Sequence, residues 1–128
     1  MKLLLDTQAF IWFSENDKSL SQKIKNEIED TDNLIMVSIA SLWEMTIKMG
    51  LGKLKLSCDI EKMIEKLYQN GFELLTILPD HLIKLSTLNL FHRNPFDRII
   101  ISQGLYENIR IISSDPIFDE YGVRRVWY

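Results

Sequence analysis

A single cysteine, Cys58, stands among 128 residues, which excludes an intramolecular disulfide. The two histidines, His81 and His92, are too scattered to complete a zinc finger with one thiol. Three prolines and five glycines leave no low-complexity tract or flexible linker. No stretch approaches the ~18 apolar residues of a membrane span. Met1-Lys2-Leu3-Leu4-Leu5 opens like a signal peptide, but Asp6 stops the apolar run, and the residues after it are too interrupted for an h-region. Basic charge is not in excess either: 15 Lys and Arg face 18 Asp and Glu, for a net charge of −3. No global field would hold such a chain on a polyanion, so any work on nucleic acid has to come from a local site. A protein of a reducing cytoplasm is the expectation.

What is present suffices for one ordinary globular domain spanning residues 1–128. At 46% hydrophobic and 26% charged residues, the chain is long enough to bury about two-thirds of its unfolded surface. Lys2 to Leu5 reads as a short strand whose continuous apolar run suits a parallel sheet covered on both faces. Ala9 to Phe13 begins a helix; Leu20, Ile24 and Ile28 mark a second, with Ser19 or Ser21 as its cap. Leu34 to Val37 is the next strand run. A helix follows from Ser38, with Ile39, Leu42, Trp43 and Ile47 on one face and Gly50 and Gly52 ending it. Asp59 to Asn70 is the clearest amphipathic helix, its core face carrying Ile60, Met63, Ile64, Leu67 and Tyr68. Phe72 to Leu78 reads as a strand, Pro79-Asp80 as the start of a short helix, and Asn94 to Glu107 as a helix capped by Asn94 with Pro95 in its first turn. Arg110 to Ile112 and Val123 to Tyr128 complete the strands. Apolar strands alternating with helices predict a three-layer α/β/α domain with a central, mostly parallel sheet.

In such sheets ligands bind beyond the carboxyl ends of the strands. Asp6 and Asp115 lie just past two of those ends, Glu44 lies in the helix entered from a third, and Asp97 opens the Asn94–Glu107 helix. Each has an ordinary explanation. Asp6 and Asp115 suit turns, Asp97 suits a helix N-terminus, and Ser41-Leu42-Trp43-Glu44 matches a capping box, which alone favours capping over chemistry for Glu44. Converging at one edge without a cation, however, the four would repel one another, and some would stay protonated at neutral pH. A hard divalent ion removes that conflict, holds phosphate, and lets an acidic protein approach a polyanion. Thr7 and Ser113 add hydroxyls at the same strand ends.

Four blocks carry a resemblance across most of the chain. They are Leu3-Leu4-Leu5-Asp6-Thr7; Val37-Ser38-x-Ala40-Ser41-Leu42-Trp43-Glu44-x-x-Ile47-Lys48 with Gly50-Leu51-Gly52-Lys53-Leu54; His92-Arg93-Asn94-Pro95-Phe96-Asp97-Arg98; and Ile112-Ser113-Ser114-Asp115-x-x-Phe118. In this order they resemble the PIN-domain ribonuclease toxins of bacterial type II toxin–antitoxin pairs (the VapC-like group). The resemblance implies a PIN fold, Mg²⁺- or Mn²⁺-dependent cleavage of RNA, inhibition by a small cognate antitoxin, and a homodimer. It assigns metal binding and catalysis to Asp6, Glu44, Asp97 and Asp115, with Thr7 and Ser113 in support.

Two positions depart from the group's pattern. Gln8 stands where histidine is common, and Asn94 where aspartate is common; Asn94 keeps the N-cap but removes a charge from the metal site. These departures keep alive an alternative, a non-catalytic PIN-like module that binds RNA or protein. An acid-nucleophile phosphatase acting through Asp6 is disfavoured, because Gln8 occupies the place of its second acid. A 5′-nuclease for structured DNA generally carries more acids on a longer chain. Lys48, Arg93 and Arg98 are candidate RNA contacts that Lys53 and Lys55 would extend, against an equal expectation of solvated charges or salt bridges. His81 and His92 are expected to cap or pack near helix ends, Asp119 to sit in a solvated turn, and Trp12, Trp43 and Trp127 to be core or interface. Arg124 and Arg125 beside Trp127-Tyr128 suggest a partner-facing tail.

Overall fold

Leu3, Leu4 and Leu5 are fully buried, yet they belong to different cores, because successive strand side chains point to opposite faces. Leu3 and Leu5 meet Phe10, Ile24, Val37, Met45, Met63 and Leu67 on one face. Leu4 meets Met36, Ile100, Ile101, Ile111 and Phe118 on the other. A continuous apolar run is what a strand covered on both sides requires. The computed structural model, which describes residues 1–128, shows this strand (β1, Lys2–Leu5) at the centre of a five-stranded, all-parallel sheet.

The order along the chain is β1, α1 (Thr7–Ser14), α2 (Gln22–Glu29), β2 (Leu34–Ser38), α3 (Ile39–Gly50), α4 (Ile60–Gln69), β3 (Glu73–Leu75), α5 (Pro79–Ser86), α6 (Pro95–Glu107), β4 (Arg110–Ile112), a 3₁₀ helix (Pro116–Tyr121) and β5 (Arg125–Val126). The sheet runs β3-β2-β1-β4-β5. The chain builds outward from β1 to one side, then returns to its other side, so the order reverses between β1 and β4. Register pairs Leu5 with Val37 and with Ile112, so Asp6, Ser38 and Ser113 leave the sheet at one level. This shared exit builds the site.

The three-layer reading holds, and so do the strand and helix positions. Ser21 rather than Ser19 caps α2, accepting from the Ile24 amide at 3.2 Å. Two strands are shorter than expected, for one reason: their partners end. β2 gives way to helix at Ser38, so β3 pairs only as far as Leu75; Thr76 then turns its carbonyl to Gln103 Nε2 at 3.2 Å. Likewise β4 stops at Ile112, leaving β5 two paired residues. Tyr68 and Trp43 correct the helix-face assignments. Tyr68 is 57% exposed, since Met63 and Leu67 fill the core side of α4, and Trp43 is 52% exposed, stacked edge-on against Phe96. Trp12 and Trp127 do pack together, 5.9 Å apart, at the rim of the first core.

Gly104 marks where α6 presses on β4. A Cβ there would stand 2.6 Å from Ile111 Cδ1 and 2.9 Å from Cγ1, inside a fully buried core. Gly104→Ala gains helix propensity, about 1 kcal/mol, but overpacking outweighs it, typically by about 1–3 kcal/mol. The urea midpoint is therefore expected to fall; an unchanged or raised midpoint would contradict this packing.

Candidate metal centre

Asp6 is held by the turn it forms. As N-cap of α1 its Oδ1 accepts from the Ala9 amide at 2.8 Å. At the end of β4 the buried Ser113 hydroxyl accepts from the Asp115 amide at 3.1 Å. Asp115 in turn caps the 3₁₀ helix through Ile117 N, 3.0 Å away.

Glu44 does not cap. The N-cap of α3 is Ser38, whose Oγ accepts from Ala40 N at 3.0 Å, while Ser41 is buried one turn inside with its hydroxyl 2.9 Å from that of Thr7. The expected capping box is therefore not formed. The S-x-x-E spacing fits a cap only if the helix starts at Ser41, and it starts three residues earlier. Glu44 instead lies 3% exposed in the second turn, its Oε2 accepting from Lys48 Nζ at 2.7 Å and Asn94 Nδ2 at 3.1 Å. Its Oε1 is buried without a hydrogen-bond partner.

Asn94 connects Glu44 to α6. Its Oδ1 accepts from Phe96 N and Asp97 N at 2.9 and 3.2 Å, as an N-cap should, while its amide group faces Glu44. An aspartate here would cap equally well but would set a second negative charge against Glu44. Asp97 follows in the first turn. Its Oδ2 lies 2.9 Å from His92 Nε2, which is also 3.2 Å from Asp115 Oδ2. His92 thus packs at the N-terminal end of α6, as expected, with its ring against two of the acids. Its placement comes from the Asn89–Asn94 loop, which carries no periodic signal in the sequence. His81 also serves a helix end: it is fully buried, accepts from Leu78 N at the start of α5, and reaches Glu107 at the end of α6.

Asp6, Glu44, Asp97 and Asp115 thus line one cleft of about 370 Å³, together with Thr7, Gln8, Lys48, Lys53, Asn94 and Ser114. Of the other candidate contacts, Lys48 lines the cleft but pairs with Glu44, and Lys53 is exposed at its edge. Arg93 and Arg98 are not among its walls, and neither is His92, which lies against Asp97 and Asp115; Arg98 is bonded to Asn89 O and Tyr121 Oη. Asp119 forms a paired-oxygen salt bridge with Arg125, and Arg124 is bonded to Asn108, so neither arginine is a free tail. Ser114 on the cleft wall and Ser41 beside Thr7 fall inside the motif blocks, but nothing in the sequence singles them out as part of the site.

The electrostatics follow from burial. Desolvation pushes Asp6 up to about 7, against the hydrogen bonds from Ser113 and Ala9, with the Asp97 and Asp115 charges adding to the rise. Asp97 is pushed to about 6, again by burial first and then by Glu44, with His92 opposing. Glu44 goes the other way: burial raises it, but Lys48, Asn94 and the Thr7 hydroxyl outweigh that and hold it below the usual range.

A parallel sheet with helices on both faces and an acidic cleft at its topological switch point describes one class of α/β domain. A family model for the PIN domain matches residues 3–123, and the chain belongs to that family. No curated protein matches the sequence. Among solved structures the chain is similar to VapBC2 from Rickettsia felis, solved bound to a DNA fragment from its promoter, at 15% identity and TM-score 0.73 over 98% of both chains. It is also similar to FitAcB from Neisseria gonorrhoeae, at 15% identity and TM-score 0.66 over 98% of this chain and 96% of that one. A domain of unknown function from Methanocaldococcus jannaschii aligns at 17% identity and TM-score 0.57 over 99% and 90%. At such identities these likenesses speak for the fold. No helix is long and apolar enough to cross a membrane.

PIN nucleases generally use divalent metals, and the residues here fit one. The donors are hard carboxylate oxygens, two of the acids are strained toward protonation by their surroundings, and Glu44 Oε1 is buried with nothing to satisfy it. Because Asp6 and Asp97 hold protons more tightly folded than unfolded, their contribution is fully present below about pH 4 and is lost as pH rises through 6 to 7. In chelator, stability is expected to fall across that window. Asp6→Asn should flatten the profile and raise stability at pH 7.5 by on the order of 2 kcal/mol. A variant no more stable than the parent at that pH would contradict the assignment.

Proposed function

We propose that this protein is a metal-dependent endoribonuclease, the toxin of a toxin–antitoxin pair. The observation that carries the reading is the convergence of Asp6, Glu44, Asp97 and Asp115 on one cleft at the switch point of a PIN fold. These carboxylates would hold Mg²⁺ or Mn²⁺, which supplies the positive charge for a phosphodiester and lowers the pKa of a water. Asp6 and Asp97 are nearest to taking up a proton at neutral pH, and with the cation absent they are the groups best placed to do so. Lys48 and Asn94 fix Glu44 Oε2, and Oε1 is buried without a hydrogen-bond partner. Lys53, exposed at the cleft edge, is the amine available to an RNA phosphate.

The toxin assignment rests on the motif resemblance, supported by likeness to VapBC2 and FitAcB. With it come a small cognate antitoxin as inhibitor, a second copy of the chain as partner, and a cytoplasmic setting. The test is cleavage of total bacterial RNA by antitoxin-free protein with Mg²⁺ or Mn²⁺, with chelator, and with Asp97→Asn. Discrete fragments that vanish in chelator and in the variant are expected. Fragments that persist in Asp97→Asn would place the chemistry elsewhere. Folded protein inactive with either metal would favour the non-catalytic binding module.

A further inference from the structure

We infer that His92 is itself a ligand of the divalent cation, giving the site a mixed nitrogen and oxygen shell that favours Mn²⁺ over Mg²⁺. This rests on the reading that the acidic cleft binds a cation, and goes beyond it by adding a nitrogen donor that the four acids do not supply.

Three features carry it. First, His92 Nε2 stands 2.9 Å from Asp97 Oδ2 and 3.2 Å from Asp115 Oδ2, and the donor atoms of these residues lie within 4.8 Å of one another. Adjacent ligand atoms about 2.1 Å from an octahedral ion sit about 3.0 Å apart, so both contacts have the spacing of neighbours on one coordination face. Second, Nε2 is buried, yet it makes no aligned hydrogen bond with either oxygen despite their closeness. Third, the ring is held from behind. It packs edge-on against the fully buried Phe118, and the His92 amide donates to Tyr121 Oη at 2.8 Å. Arg98 donates to the same hydroxyl at 3.2 Å and to Asn89 O, clamping both ends of the short loop that presents the imidazole.

Ligation through Nε2 places the ring proton on Nδ1. In this structure Nδ1 instead accepts a long hydrogen bond, 3.4 Å, from the Asn94 amide, so ligation through Nε2 requires that bond to be given up as the ring proton moves to Nδ1. Imidazole suits transition metals, whereas Mg²⁺ keeps to oxygen, and this sets the expected selectivity.

The test uses Mn²⁺ alone on the full chain, read by calorimetry and by electron spin-echo spectroscopy. Bound Mn²⁺ should show coupling to ¹⁴N, which changes to the ¹⁵N pattern when the protein carries ¹⁵N-histidine. The only other histidine, His81, is fixed between Leu78 and Glu107. His92→Gln should abolish the coupling and weaken Mn²⁺ binding about tenfold, a scale typical for groups around metal ligands, with a smaller loss for Mg²⁺. Mn²⁺ bound without histidine coupling, or bound by His92→Gln as tightly as by the parent, would overturn the inference and leave the nuclease reading standing. Failure of the parent protein to bind Mn²⁺ at all would overturn both. The isotope arm needs no substitution, so it decides the matter even where His92→Gln folds poorly.

Discussion

Mutual repulsion among buried carboxylates, enforced by the register of a parallel sheet, is the constraint on which the rest of this structure turns. Leu5 pairs with both Val37 and Ile112, so the chain must leave β1, β2 and β4 at one level. Asp6 and Asp115 are pinned there by their own helix caps, and the Asp6 amide, donating to Ile112 O at 3.0 Å, joins the β1 exit to β4. Neither acid can swing away without unmaking a turn. The apolar cores on the two faces of the sheet hold the strands that fix those turns, and so oppose the repulsion they create.

Glu44 and Asp97 reach the same place by another route. α3 starts from the third strand end, and α6 crosses to meet it, with Asn94 as the link: one end of its side chain caps α6 and the other grips Glu44. The loss of an aspartate at this position, which from the sequence reads only as a weakened metal site, is in the structure also the gain of a donor. Lys48 supplies a second donor to the same oxygen. Glu44 is consequently the one acid of the cluster held below its ordinary range, while Asp6 and Asp97 are driven above theirs. A pair of environments that push carboxyl groups apart in this way is a familiar sign of a functional site.

Much of this is legible in the residues. Continuous apolar strand runs point to the buried parallel sheet, and the acids at strand ends point to the cleft, because both follow from local pattern and the rule for where such sheets bind ligands. The features that are not legible depend on contacts between distant segments. The S-x-x-E spacing at Ser41 reads as a cap even though the pattern starts the helix at Ser38, because a motif match does not show which of two nearby serines caps it. Tyr68 reads as core because periodicity gives a face but not its edge. His92 reads as a helix-end residue, which it is, but its contacts with Asp115, Phe118 and Tyr121 do not show, because those residues are more than twenty positions away in the chain.

The most direct test of a cation relieving this repulsion is crystallographic. Crystals soaked in Mn²⁺ would be measured at a wavelength where manganese scatters anomalously. A peak within bonding distance of Asp6, Asp97 or Asp115 carboxylate oxygens is the expected result. Density for manganese only outside the cleft, in crystals whose cleft is open to solvent, would show that the four acids are gathered for something other than a metal.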